Sequence, residues 1–296
     1  MKKRAGLVWL IMFTLLLLAG CRKESANKQD SLATISKETT DENKQEEVSK
    51  TLHFVDAWGE WHDMVINESV KKHPYNLEKL QNQHGTVCYE DDTYVAKKGI
   101  DVSHHQGRID WEAVKEDGIE FVFVRIAYRG YGKGGNLLVD TMQKEYIKRA
   151  HEAGLKVGVY VFSQAINEEE ALEEAKLVVD TLEDTKLELP VVFDPELIRD
   201  DDARTDTVSG EQFTKNTIVF CEYVKKKGYT PMVYSNMVWE WRLFDMEQIQ
   251  QYGIWYADYE KIPQTPYDFE FWQYSEKGHV SGVQGNCDLD VWFCKK

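Results

Sequence analysis

The segment Leu189-Pro190-Val191-Val192-Phe193-Asp194-Pro195-Glu196 closes an apolar run on two carboxylates two residues apart. Side chains alternate along a strand, so Asp194 and Glu196 project to the same side with Cα atoms about 6.5–7 Å apart. Mutual repulsion and burial raise the pKa of one member of such a pair, which then holds a proton near neutral pH and can donate it to a leaving oxygen. That is the requirement of glycosidic bond cleavage. Acids at a strand end also cap following helices, so the pair by itself decides little. Two further segments strengthen it. Gly99-Ile100-Asp101-Val102-Ser103-His104-His105-Gln106-Gly107 ends another apolar run on an acid, and Gly285-Asn286-Cys287-Asp288-Leu289-Asp290 brings Asp288 and Asp290. Acids at separate strand ends converge when the strands form a barrel, whose catalytic groups gather at one rim.

The elements that must position these acids read as alternating strands and helices. Buried parallel strands are expected at Gly99–Ser103, Ile119–Ala127, Lys156–Ser163, Leu189–Asp194, Pro231–Ser235, Ile254–Ala257 and Phe269–Tyr274. Helical patterns span Thr141–Ala153 before Gly154, Glu168–Leu182, and Glu211–Lys227 before Gly228. The expected fold is α/β, a distorted (β/α) TIM-like barrel forming a single catalytic domain, with the irregularity after Ile254 where helices shorten or vanish. A doubly wound open sheet is the alternative, and no Gly-x-Gly-x-x-Gly fingerprint supports it. Tyr160, Tyr234, Trp255 and Trp272 are candidates to stack on sugar faces, or to be packing only. Asp258 and Gln273 are candidates to hydrogen-bond substrate. His104 and His105, read as neighbours on an extended segment, point to opposite faces and do not chelate a metal together. The acidic runs at 168–170 and 200–202 are expected to be solvated.

Lys2, Lys3 and Arg4 precede an apolar stretch from Ala5 to Ala19, the layout of a signal peptide over residues 1–20. Leu18-Ala19-Gly20-Cys21 resembles the lipobox of bacterial lipoproteins, which implies lipidation of Cys21 and a cell-membrane anchor facing the extracytoplasmic side. Residues 21–50 are polar and lack aromatics, as a disordered tether does. Residues 51–97 form an N-terminal extension without an assigned role, and 98–296 the catalytic domain. The net charge of −15 argues against nucleic acid as a partner, and removing the cationic leader makes the chain more negative. Cys88, Cys221, Cys287 and Cys294 show no metal-ligand spacing and allow three full pairings or free thiols. With no heptad seam or repeat, a monomer is expected.

At these residues the sequence resembles glycoside hydrolase family 25, the muramidases of the Chalaropsis lysozyme type. The resemblance runs from about Lys98 to the C-terminus. It rests on Asp101, Ser103 and Gln106, on Asp194 and Glu196, and on the Gly-x-x-Asp-Leu segment at Asp288. Gly158-Val159-Tyr160, Tyr234-Ser235, Trp255-Tyr256-Ala257 and Trp272-Gln273-Tyr274 add to it. It implies cofactor-free, retaining hydrolysis of the β-1,4 bond between N-acetylmuramic acid and N-acetylglucosamine in peptidoglycan glycan strands. Glu196 is then the general acid, Asp194 stabilises positive charge or orients the 2-acetamido group, and Asp101 and Asp288 tune the site. Tyr160, Tyr234, Trp255, Asp258 and Gln273 would contact substrate. Asp290 stands where the family usually carries asparagine. An endo-N-acetylglucosaminidase of chitinase type and a non-catalytic wall-binding lipoprotein remain as alternatives; Asp101-Val102-Ser103-His104-His105-Gln106 argues against the first and the full set of acids against the second.

Overall fold

The computed structural model describes residues 50–296 other than 84 and 200; the expected leader, Cys21 and nearly all of the tether lie outside them. Two small hairpins come first. Strands β1 (Thr51–Val55) and β2 (Trp61–Val65) pair antiparallel, as do β3 (Gln81–Gln83) and β4 (Thr86–Cys88). The chain then enters β5 (Tyr94–Val102), α1 (Trp111–Glu116), β6 (Phe121–Arg129), the short β7 (Leu137–Val139), α2 (Gln143–Glu152), β8 (Lys156–Ser163) and α3 (Glu168–Leu182). It continues through β9 (Val191–Pro195), α4 (Gly210–Lys226), β10 (Pro231–Asn236), α5 (Met246–Ile249), β11 (Ile254–Ala257), β12 (Phe271–Gly278) and β13 (Cys287–Lys295).

Eight strands close on themselves in the order β5, β13, β12, β11, β10, β9, β8, β6, with β5 and β6 completing the ring and β7 flanking β6. Closure excludes the open doubly wound sheet. The distortion sits at the C-terminal side: β12 follows β11 through a helix-free loop, and β13 runs antiparallel to both β12 and β5. The link from Gly278 to Cys287 is too short for a helical crossover, so the strand must return as a hairpin. β13 is absent from the strand pattern read in the sequence, where its acids stood in a late motif only. The boundary expected at 97/98 falls inside β5, because Tyr94–Lys97 pair with Trp292–Lys295.

Alternation along the strands sorts the side chains into two cores. Phe121, Phe123, Val192, Met232, Trp255 and Phe271 fill the barrel interior, while Val122, Val124, Phe193, Val233, Ile254 and Trp272 face the surrounding layer. Gly158 permits this filling, since a Cβ there would lie 2.4 Å from the Phe123 ring. The helices of the outer layer bury one stripe each. In α3, Ala171, Ala175, Val178 and Leu182 recur at helical spacing and Asn167 caps the start by accepting from the Glu170 amide.

The acidic runs divide. Glu168, Glu169, Asp201 and Asp202 are exposed, but Glu170 is not a free surface acid. It receives a two-pronged bond from Arg204, at 2.6 and 2.7 Å. One turn on, Glu174 is fully buried and accepts from Arg129 Nε and Ser163 Oγ at 2.6 Å each. Cys88, Cys221, Cys287 and Cys294 are free thiols. Cys287 and Cys294 begin and end the same extended strand, roughly 23 Å apart at 3.3 Å per residue, which forbids a bridge.

Candidate active site

Strand ends on the C-terminal rim of the barrel bring the acids together. Asp194 is the last inward-facing residue of β9, 3% exposed, and Glu196 follows just beyond the strand, partly open to solvent. Asp101, next to last in β5, faces inward and is the direct cross-strand partner of Asp288 on β13. Asp290 lies one inward position deeper, fully buried, opposite Gly99.

Crowding acids in a dry rim has the expected electrostatic result. Burial first, and then the charge of Asp288, push Glu196 up to about 7, while Arg125 pulls it down. Burial and Glu196 raise Asp194 well above the usual carboxylate range, again opposed by Arg125. Asp288 is pushed up to about 6 by burial and by Glu276. Asp101 is raised by burial, Asp288 and Asp290, and Asp290 by burial and Asp288. One oxygen of Asp194 is buried without any hydrogen-bond partner, as is one of Asp290.

Around the acids runs a polar scaffold. Gln273 Nε2 donates to Asp101 at 2.6 Å, and Gln273 Oε1 accepts from the hydroxyls of Tyr234 at 2.8 Å and Tyr259 at 2.9 Å. The Gln273 amide therefore fixes one carboxylate and gathers two phenols. Arg125 faces inward from β6 and donates to Asp140 at 3.0 Å; His104 Nδ1 lies 2.9 Å from Asp140 and 2.7 Å from Arg125. Burial would raise Asp140, yet hydrogen bonds from the Met142 amide and from His104, and the Arg125 charge, hold it below the ordinary value. Arg125 was not singled out in the sequence, although strand parity with Phe121 and Phe123 points it at the site. Tyr259 lay in an unassigned loop.

Several expected contacts take other roles. Trp255 is 1% exposed, stacks on Phe123 at 4.6 Å, and donates its indole N–H to Asp290 at 2.8 Å. It is the floor under the acids and offers no face to a sugar. Trp272 points outward into the helix-facing layer, its N–H bonded to the Asp258 carbonyl at 2.7 Å. Asp258 lies at the rim, but its carboxylate is occupied by the amides of Glu260 and Gln264 and by the Tyr256 hydroxyl. Tyr160 and Tyr234 are mostly buried at the mouth. His104 and His105 are not on an extended segment: they lie in a single 3₁₀ turn, His104–Gln106, with ring centroids 4.2 Å apart. A capping box formed by Ser103 and Gln106 holds that turn.

The sequence profile of glycosyl hydrolases family 25 matches residues 100–283, which include the strand ends carrying Asp101, Asp194 and Glu196. The chain belongs to glycosyl hydrolases family 25. Among relatives of this family, the autolytic lysozyme of Clostridium acetobutylicum is 28% identical over 194 residues, 65% of this chain and 55% of that protein. The chain thus spans little more than half of that relative's length. A family 25 glycosyl hydrolase from Bacillus anthracis shares the fold with a TM-score of 0.56 at 25% identity, over 72% of this chain and 94% of its own. The modular autolysin LytC from Streptococcus pneumoniae superposes with a TM-score of 0.59 at 24% identity over 82% of this chain and 56% of its own, a likeness of fold. The family match begins at residue 100, so the hairpins before β5 lie outside it.

Proposed function

We propose that this family 25 protein is a peptidoglycan hydrolase, a muramidase that cleaves the β-1,4 bond between N-acetylmuramic acid and N-acetylglucosamine with retention of configuration. The observation that carries the reading is the convergence at one rim of Asp101, Asp194, Glu196 and Asp288, with Glu196 pushed up to about 7 and partly open to solvent. The lysozyme name borne by a relative 28% identical supports the same substrate class.

Glu196 acts as general acid, donating its proton to the glycosidic oxygen. Asp194 accepts the N–H of the substrate's 2-acetamido group. That bond favours ionised Asp194, so a proton held between the two acids moves to Glu196 as substrate enters. Ionised Asp194 then faces the positive charge that develops at the anomeric carbon. Asp101, fixed by Gln273, and Asp288 keep the rim acidic, and Arg125 limits how far the acids are raised. Tyr160 and Tyr234 line the mouth.

A leader over residues 1–20 and a lipid on Cys21 would tether the enzyme outside the membrane as a monomer, supported by the lipobox-like segment. A membrane anchor supplies the proximity to the wall that an acidic protein does not gain by long-range attraction.

The test is digestion of purified peptidoglycan followed by borohydride reduction and mass analysis, beside Glu196→Gln. Reduced muramic acid ends that vanish in the variant are expected. Reduced glucosamine ends would assign the cut to the other bond, and no release would turn the reading to a wall-binding protein.

A further inference from the structure

The hairpin of β1 and β2 lies outside the family match, yet its turn is fastened to two loops that follow site strands. The Gln264 side chain, from the loop after β11, accepts from the Val55 amide and donates to the Val55 carbonyl, both at 2.9 Å. Arg199, three residues beyond Glu196, stacks on Trp58 at 3.6 Å and approaches Asp56 and Glu60 at 3.8 Å. Asp56 is buried and itself braced, accepting from the Trp58 and Glu60 amides at 2.9 Å and lying 3.0 Å from His62. Asp56, Glu60 and His62 group three possible ligand atoms, but these bonds already occupy Asp56 and Arg199 supplies the positive charge.

Between the turn and the barrel lies a cavity of about 260 Å³. One wall is Val55 to Ala57 and Gly59; the other includes Tyr234, Asn236, Tyr259 and Glu260. Tyr234 and Tyr259 are the two phenols that meet on Gln273, and through it on Asp101. The cavity therefore shares a wall with the tyrosine pair that holds Gln273 against Asp101. Its size is below the roughly 300–1,000 Å³ of whole small-molecule sites, which suits one sugar ring and not a folded partner. Its charged lining residues are Asp56, Asp258 and Glu260, with no lysine, arginine or histidine. An anionic lactyl ether or stem-peptide carboxylate would find no counter-charge there.

We propose that the N-terminal hairpin builds an additional saccharide subsite, taking a hexosamine unit without an anionic substituent at the position of the glycan strand next to the cleaved pair. This rests on the hydrolase reading for its ligand class. The aromatic edges of Tyr234 and Tyr259 and the backbone of the Ala57 turn supply the apolar and polar contacts such a ring uses.

The test fills the cavity from its exposed side with Ala57→Trp in the full chain. Chitin oligomers of two to six units are the probes, with binding read by calorimetry and turnover read separately on peptidoglycan glycan strands. For the unaltered protein, affinity should rise with oligomer length until the cavity is filled. Ala57→Trp should lose that last increment, about tenfold, while binding the shorter oligomers as before. An increment that survives in Ala57→Trp, an equal loss at every length, or no length-dependent increment at all overturns the subsite. Turnover absent with the increment intact overturns the hydrolase reading alone; turnover present with no increment overturns the subsite alone. Glu260→Gln should leave neutral oligomers bound and relax exclusion of carboxylated ones; unchanged exclusion would overturn the charge argument.

Discussion

Asp101 and Asp288 are direct cross-strand partners on β5 and β13, one of them fixed by Gln273 and the other beside Glu196 in its electrostatic effect. Because β13 is the antiparallel strand that closes the barrel, the last strand of the fold helps to set the protonation of an acid just beyond β9, the fourth strand of the ring counted from β5 through β6.

Activity should therefore fall as pH rises through about 7, where Glu196 loses its proton. Asp288→Asn removes a like charge and should shift that limb to lower pH, whereas Arg125→Gln removes a cation and should shift it to higher pH. Profiles of kcat/KM for the two variants give the check. Glu196→Gln should cost roughly 10²–10⁴-fold in kcat below about pH 7, a loss that narrows at higher pH where the unaltered enzyme has also given up this proton.

Stability carries a second pH dependence, from Glu240. This carboxyl is buried, accepts from Thr265, has one oxygen without a partner, and is pushed up to about 8 by burial. A folded pKa above the ordinary 4.5 means the group costs nothing below about 4.5 and progressively destabilises the fold as pH rises toward 8. Glu240→Gln removes that cost. Its advantage over the unaltered chain in denaturant unfolding should grow from near zero at pH 4.5 to a few kcal/mol, about 4 at most, at pH 8.

Packing inside the barrel gives a third expectation. Gly158→Ala puts a methyl 2.4 Å from Phe123 and 2.9 Å from Leu189, and neither ring nor neighbour has room to retreat from a filled interior. A loss of about 1–3 kcal/mol is expected, measured by chemical unfolding, with Phe123→Leu in the same chain recovering part of it.

Thiol chemistry gives a fourth. Cys221 and Cys287 are buried and their thiols raised by burial, and burial pushes Cys294 up to about 11. At pH 8 a thiol reagent should modify Cys88 first in the native protein and all four of these cysteines only after unfolding. Reductant should leave the unfolding midpoint unchanged.

Much of the chemistry was legible in the chain. Strand periodicity located Lys156–Ser163 and Ile254–Ala257 as they stand, and the two-residue spacing of Asp194 and Glu196 made them a pair before any fold was known. Local rules suffice there, because alternation and apolar runs are properties of a few consecutive residues. The late strand was hidden by its polar inward positions: Asp288 and Asp290 interrupt the apolar pattern because they face the site, although Leu289, Val291 and Phe293 keep the alternation. Trp255 was misassigned for a related reason. A ring at an inward position is a floor or a platform according to what stands above it, and Phe123 comes from a distant strand.

The order of residues alone carries the strand and helix alternation, the pairing of Asp194 with Glu196, and the family to which they point. The fold sets which acids share a rim, that Arg125 and Gln273 govern their charge and position, and that the turn of the hairpin over 51–65 shares a cavity with Tyr234 and Tyr259. Burial and Coulomb interactions depend on separation in space, not along the chain. Asp101 and Gln273 are 172 positions apart in the chain and 2.6 Å apart in the barrel.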